Sequence, residues 1–389
     1  MSGALGTELM PRWSLRIVSV PFGDGLLLHD EVRNQVHVLN ATGALVWQAC
    51  DGATPVSLVA EAFADALGHP VDVVERDIRA HVASLAAGQL VGRGEVPDHL
   101  ALPEPGPVVG PLASRPLRVL DERIVVRADD PSVIAAVESL FADLLDSVGS
   151  PGEPPKPAPQ MVEIAEVAMA SAPGGGYRLH GRGHDQTFVR LDDALDVLPS
   201  LVNRLVAGAA APLALHAGAV RSPEGRVVVL AGASGTGKST LTAALVRAGW
   251  DYVTDEAAGI RPGHLEVVGY PKPLALDVTS RSVVGLPPGS GPVPVAELRA
   301  DALGACGDVG ALAAVVLPAY RPGAAATASG PLAPDDAIAA LAPHAINLVP
   351  SGADGLATLA AIASRVPVHE LAHGDLEQAV ALVRRLSLM

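Results

Sequence analysis

Read from the N-terminus, apolar and polar positions first alternate and then change period. Residues 26–30 (LLLHD) form a short apolar run, and residues 35–39 (QVHVL) alternate with period two, so both read as strands. Asn40 or Thr42 then caps a helix whose apolar face is Leu45, Val46 and Cys50, and Gly52 can end it. Trp47 reads as core. Two more helical patterns follow at 56–67 and 71–87. A hairpin followed by three helices is a winged-helix-like pattern, assigned to residues 1–92. Six prolines between 96 and 117 mark a linker, placed at 93–117. In extended polyproline form ~22 residues reach roughly 65 Å. A second such stretch lies at 150–160. Residues 118–215 carry strand patterns at 123–126, 162–167 and 177–179 and helical patterns at 132–145 and 192–207. They read as an α+β subdomain without a catalytic constellation. Residues 216–389 open an α/β core: a strand at 227–230, a helix at 241–248, and a second apolar segment ending in Asp255 and Glu256. A last strand and a helix capped by Asp375 close the chain.

Composition narrows the class. The 389 residues are 49% hydrophobic and 18% charged, which predicts a folded protein of two to three domains. A formal charge of −15 argues against nucleic acid as a partner and weakens a DNA-binding reading of the winged-helix pattern. Every apolar run is interrupted by Pro, Gly or charge, so no membrane span is expected. The N-terminal residues lack the basic-then-apolar pattern of a secretion signal. Two cysteines, Cys50 and Cys306, build no disulfide framework. The expectation is a cytoplasmic enzyme.

The chemistry concentrates at 232–240. Gly232-Ala233-Ser234-Gly235-Thr236-Gly237-Lys238-Ser239-Thr240 contains G-x-x-x-x-G-K-[ST] between a strand and a helix. The glycines allow a sharp turn, and the exposed N–H groups form an anion nest at a helix N-terminus. Lys238 adds a point charge for the β- and γ-phosphates, and Ser239 a hydroxyl for Mg²⁺. Of 27 basic residues only Lys156, Lys238 and Lys272 are lysines, so lysine stands out in this loop. Asp255 and Glu256 follow Lys238 by 17 and 18 residues. Two parallel strands flanking the helix would bring both carboxylates to the phosphates. One would hold Mg²⁺ and the other accept a proton from an attacking hydroxyl.

His216 in LHAGAV, the loop GASGTGKST and the segment VTDE together resemble the HPr serine kinase/phosphorylase family. The resemblance implies that Asp255 is the base, that Glu256 assists Mg²⁺, and that His216 lies near the phosphates. Glu256 stands where the family usually has Asp, which puts the reverse phosphorylase activity in doubt. Tyr270-Pro271-Lys272-Pro273 and the final stretch VPVHELAHGDLEQAV resemble a subgroup of these kinases. Lys272 reads either as a contact to phosphate or acceptor or as a surface lysine in a proline-rich turn. Arg281 is a candidate for the phosphate-stabilising arginine by position, with a partner subunit as the other source. Hexamers are common in that family, so a homo-oligomer stays open.

LNATGALVWQACDG resembles the PqqD family, the peptide-binding domain (RiPP recognition element) of enzymes that modify ribosomally made peptides. It implies β-augmentation by an extended leader peptide along Val36, Val38 and Leu39, packed against the third helix around Arg76, Ile78, Arg79 and Val82. The chain as a whole then reads as an HPr kinase-like α/β P-loop core behind a PqqD domain and an α+β subdomain. The implied function is transfer of the γ-phosphate of ATP to a Ser or Thr of a leader-bound precursor peptide, in company with other peptide-modifying enzymes. Two alternatives stand beside it: a kinase for a small hydroxylated metabolite, and an ATP-binding regulatory or docking module.

Overall fold

The computed structural model describes residues 8–14, 17–92, 110–120, 122–145, 163–171, 176–181, 184–206, 212–289, 292–299 and 307–388. Residues 93–109, the proline stretch at 150–160 with Lys156, and Cys306 lie outside the described residues. The chain divides into two compact units, Met1–Leu102 and Pro103–Met389.

In the first unit the sequence reading found two of three strands. Ile17–Phe22 (β1), Gly25–Asp30 (β2) and Gln35–Leu39 (β3) form an antiparallel meander in the order β1-β2-β3. The strand missed, β1, lacks clean alternation because Pro21 interrupts it. Ala41–Gln48 (α1) begins where Asn40 accepts a hydrogen bond from Gly43 N at 2.9 Å. Val56–Leu67 (α2) ends at Gly68 in the left-handed region, and Val71–Ala87 (α3) follows. Leu28, Val46, Trp47, Cys50, Val59 and Ile78 form the core. Each large apolar side chain buried there stabilises by about 1.5–3 kcal/mol. Leu45 is a correction: it is 53% exposed. The buried stripe of α1 runs through Ala44, Val46 and Trp47, and this turns Leu45 outward. Burial pushes the Cys50 thiol up to about 11, so it behaves as a small apolar group.

The second unit starts inside the expected linker. Leu112–Ala113 (β4) and Leu117–Val119 (β5) both pair with Glu122–Ala128 (β6). The prolines flanking β4 misled the linker reading; β4 is an edge strand, where proline is tolerated. Glu163–Ser171 (β7), Tyr177–Gly181 (β8) and His184–Phe188 (β9) complete the sheet, and the pattern gave no sign of β9. Pro131–Leu140 (α4) and Leu191–Val206 (α5) cover it over a core that includes Ile124, Val126, Phe141, Leu198 and Val202. That core continues into Ala214, Ala257, Val268 and Tyr270 of the next layer.

The next layer holds Leu213–Arg221 (β10), Val227–Ala231 (β11), Lys238–Arg247 (α6), Asp251–Thr254 (β12), Ala257–Ile260 (β13), Glu266–Gly269 (β14) and Val278–Val283 (α7). Val295–Leu298 (α8), Gly307–Tyr320 (β15), Thr327–Ala328 (β16), Pro334–Leu341 (α9), Leu348–Arg365 (α10), Val368–His373 (β17) and Leu376–Leu386 (α11) follow. Two long strands serve two sheets. β10 pairs with β13 through His216 and with β11 from Ala217 onward. β15 pairs with β14 up to Ala311 and with β11 from Leu312 onward. β11, β15 and β17 run parallel. One sequence expectation is refined here: β11 and β12 are parallel but not adjacent, because β10 lies between them, antiparallel to both.

Candidate functional site

Parallel strands whose C-terminal ends meet leave a crevice there, and α/β folds place ligands in it. In this chain β11, β15 and β17 end beside one another, and a cavity of about 930 Å³ opens at that edge. Residues 232–237 carry β11 into α6, with Gly235 and Gly237 at φ +82° and +93°, a region that side chains beyond Gly rarely adopt. Gly237 is the residue before the first helical turn, so free N–H groups of that turn face the cavity edge. Lys238 is 6% exposed, and its Nζ donates to Gly232 O at 2.7 Å and Ala233 O at 2.9 Å. Burial lowers its pKa, while Glu256 and Asp255 act against that shift. Thr240 donates its hydroxyl to Ser280 Oγ at 2.9 Å and so ties α7 to the loop.

The two carboxylates occupy the bend between β12 and β13. Asp255 is 1% exposed and held by three protein donors. Its Oδ1 accepts from Tyr252 OH at 3.2 Å and pairs with Lys272 Nζ at 2.8 Å, and its Oδ2 accepts from Ala275 N at 3.2 Å. Lys272 also stands 3.8 Å from Glu256 Oε2. Of the two sequence readings for Lys272, the surface lysine is excluded: the residue is 2% exposed. His216 Nδ1 lies 3.4 Å from Glu256 Oε1. Tyr252 and Tyr270 have pKa values raised well above that of free tyrosine, first by burial and then by these carboxylates, so both phenols remain donors.

His216, Ser234, Gly235, Gly237, Lys238, Ser239, Thr240, Asp255, Glu256 and Lys272 all line the cavity. Gly232, Ala233 and Thr236 belong to the same loop but are not among the lining residues. Arg281 is buried on α7 and is not among the lining residues. Among the described residues no three His, Cys, Asp or Glu side chains come together as a metal cluster. Sequence reasoning missed two further walls. Asp196, Pro199 and Asn203 of α5 reach the cavity, and Asn203 Oδ1 accepts from Tyr270 OH at 3.0 Å. Their spacing of three and four residues is the only signal that they share a face. Tyr320 and His373, at the ends of β15 and β17, form the other wall. Beside them, a Cβ added at Gly374 would meet Arg321 O at 2.4 Å and Ala324 N at 2.6 Å. Those are backbone atoms, so Gly374→Ala is expected to destabilise the protein by about 1–3 kcal/mol. Thermal denaturation of the full chain checks this, and an unchanged melting temperature would show that the turn yields.

In the first unit β3 is an edge strand that pairs with β2 alone among the described strands. Val36 and Leu39 are half-buried, and Val38 is 36% exposed. Arg76 is open to solvent beside Asp72, whereas Arg79 is already paired with Glu8 and Glu75. Ile78 belongs to the core and is not available for contact.

Residues 25–91 match the family model described as coenzyme PQQ synthesis protein D (PqqD), so the N-terminal unit carries a PqqD domain. No curated protein matches the chain in sequence. Two solved structures are similar to parts of it. One is TbiB1 in complex with the TbiA(beta) leader peptide: 22% identity, 22% of this chain and 99% of that chain, TM-score 0.20. The other is the Hpr(Ser) kinase/phosphatase from Coxiella burnetii: 13% identity, 45% of this chain and 97% of that chain, TM-score 0.26. No helix among the described residues is long and apolar enough to cross a membrane.

Proposed function

We propose that this chain is an ATP-dependent kinase that phosphorylates a Ser or Thr hydroxyl of a ribosomally made precursor peptide, held by its leader on the N-terminal domain. The observation that carries the reading is the meeting of Lys238, Ser239, His216, Asp255 and Glu256 around one cavity. The loop N–H groups and Lys238 bind the triphosphate. A carboxylate has roughly four acceptor positions. Protein donors engage Asp255 at three, from Tyr252, Lys272 and Ala275, which leaves one for the acceptor hydroxyl. Asp255 takes the proton as the acceptor oxygen bonds to the γ-phosphorus and the bond to the leaving ADP oxygen breaks. Ser239 and Glu256 are oxygen donors on the cavity wall, a set that suits Mg²⁺, which takes one or two protein oxygens and completes its shell with phosphates and water. Mg²⁺ would supply charge neutralisation on the phosphates. His216, beside Glu256, orients that carboxylate.

The PqqD match and the open edge of β3 support the peptide half of the reading. Tethering by a leader raises the effective concentration of the core segment, so a weak contact at the cavity suffices.

The test is mass spectrometry of a candidate precursor peptide incubated with the full-length protein, ATP and Mg²⁺. The expected result is a gain of one phosphate that is lost when the leader is removed. ATP consumed without peptide modification would point to a small hydroxylated acceptor. No consumption would leave a nucleotide-binding docking module.

A further inference from the structure

His373 sits at the end of β17, only 3% exposed, on the wall of the cavity. Neither of its ring nitrogens has a hydrogen-bond partner among the described residues. Buried polar groups without partners are unfavourable and rare, so this one calls for an explanation. Its surroundings fix it firmly. The parallel ladder sets His373 opposite Tyr320, and its carbonyl accepts from Arg321 N at 2.7 Å. The two rings meet edge to face with centroids 5.8 Å apart.

Both residues lean on the last turn of the phosphate-type loop. Tyr320 N donates to Thr236 O at 3.2 Å. From the position of a Cβ on Gly237, Tyr320 Cβ is 3.6 Å away and His373 Nε2 3.7 Å away. Yet Tyr320 stays 54% exposed, a large ring left open beside the loop. Burial lowers the pKa of His373, so the ring is neutral and offers one N–H donor and one bare nitrogen acceptor. Those groups suit hydroxyls and ring nitrogens better than a phosphate anion, and Lys238 with the loop N–H groups already serves the anion.

We infer that Tyr320 and His373 form a nucleoside subsite, in which the base stacks on Tyr320 and His373 hydrogen-bonds to the sugar or the base. This rests on reading the 232–239 loop as the triphosphate site, and it adds what that reading lacks, a reason for the protein to prefer a nucleotide over a bare polyphosphate. Stacking on an aromatic ring is sequence-tolerant, so the subsite is expected to accept any purine more readily than it distinguishes among them.

The experiment titrates the full-length protein, in calorimetry, with ATP and separately with inorganic tripolyphosphate. Wild type, Tyr320→Ala and His373→Phe are compared. The expected result is a wild-type preference for ATP of at least about 10-fold. Both variants should lose most of that preference while binding tripolyphosphate as the wild type does. An equal fall for both ligands would place the two residues on the phosphates and overturn the inference, as would a wild type that does not distinguish the ligands. A wild type that binds neither removes the triphosphate reading itself, and this outcome is distinct from the others. Tyr320 is exposed, so Tyr320→Ala keeps the test decisive whatever His373→Phe does to folding.

Discussion

Asp255→Asn is expected to lower the rate of phosphate transfer roughly 100- to 10,000-fold, the usual worth of a positioned general base, while nucleotide binding is retained. Asn keeps the size of the side chain and an oxygen for Ala275 N, which now donates at 3.2 Å. What it removes is the basic lone pair and the negative charge. The measurement is single-turnover transfer to precursor peptide, with ATP affinity determined in parallel. The pair of readings separates a lost base from a lost site: transfer must fall while affinity holds. Wild-type transfer by the variant would mean that the proton goes elsewhere, with Glu256 as the next group in line.

The second large effect is on stability. Lys272 and Asp255 are 2% and 1% exposed and 2.8 Å apart. Removing one member of a buried ion pair strands the other, and Lys272→Met is therefore expected to cost about 3–5 kcal/mol. For a unit of this size that lowers the melting temperature on the order of 10 °C. The double variant Asp255→Asn/Lys272→Met should lose less than the two single losses combined, because neither remaining group carries a charge. Additive losses in thermal denaturation would refute the coupling. Glu256, half-buried and 3.8 Å from Lys272, is the more distant of its two carboxylate partners.

What was legible in the sequence was local. The loop announces itself because glycine, lysine and serine must stand at fixed offsets for backbone N–H groups to surround an anion. The acidic pair is legible because one helix and one return strand have a typical length. The burial of Lys272 is not local: it depends on β12 and the 270–275 segment meeting across Tyr252, whose hydroxyl donates to Lys272 O at 2.7 Å. A hint was present all the same. This chain uses three lysines in 389 residues, and two of them line one cavity. Asp196 and Asn203 on α5, and Tyr320 and His373 at strand ends, could not be tied to the site because tertiary packing alone brings them to the cavity, and no motif spans elements that far apart in sequence. β1 and the end of the linker were misread for the opposite reason. Proline and weak alternation speak against a strand, and pairing at a sheet edge overrides them.

The sharing of β10 and β15 between two sheets has a further meaning. His216 and Ala217 are neighbours on one strand, yet the first pairs into the sheet behind the carboxylates and the second into the sheet that carries the loop. A strand cannot lengthen or slip by less than a residue without breaking its ladder. The loop and the two carboxylates are thus set on a common ruler, and under the function proposed above the groups for donor and acceptor would keep a spacing fixed by covalent bonds and hydrogen-bond register.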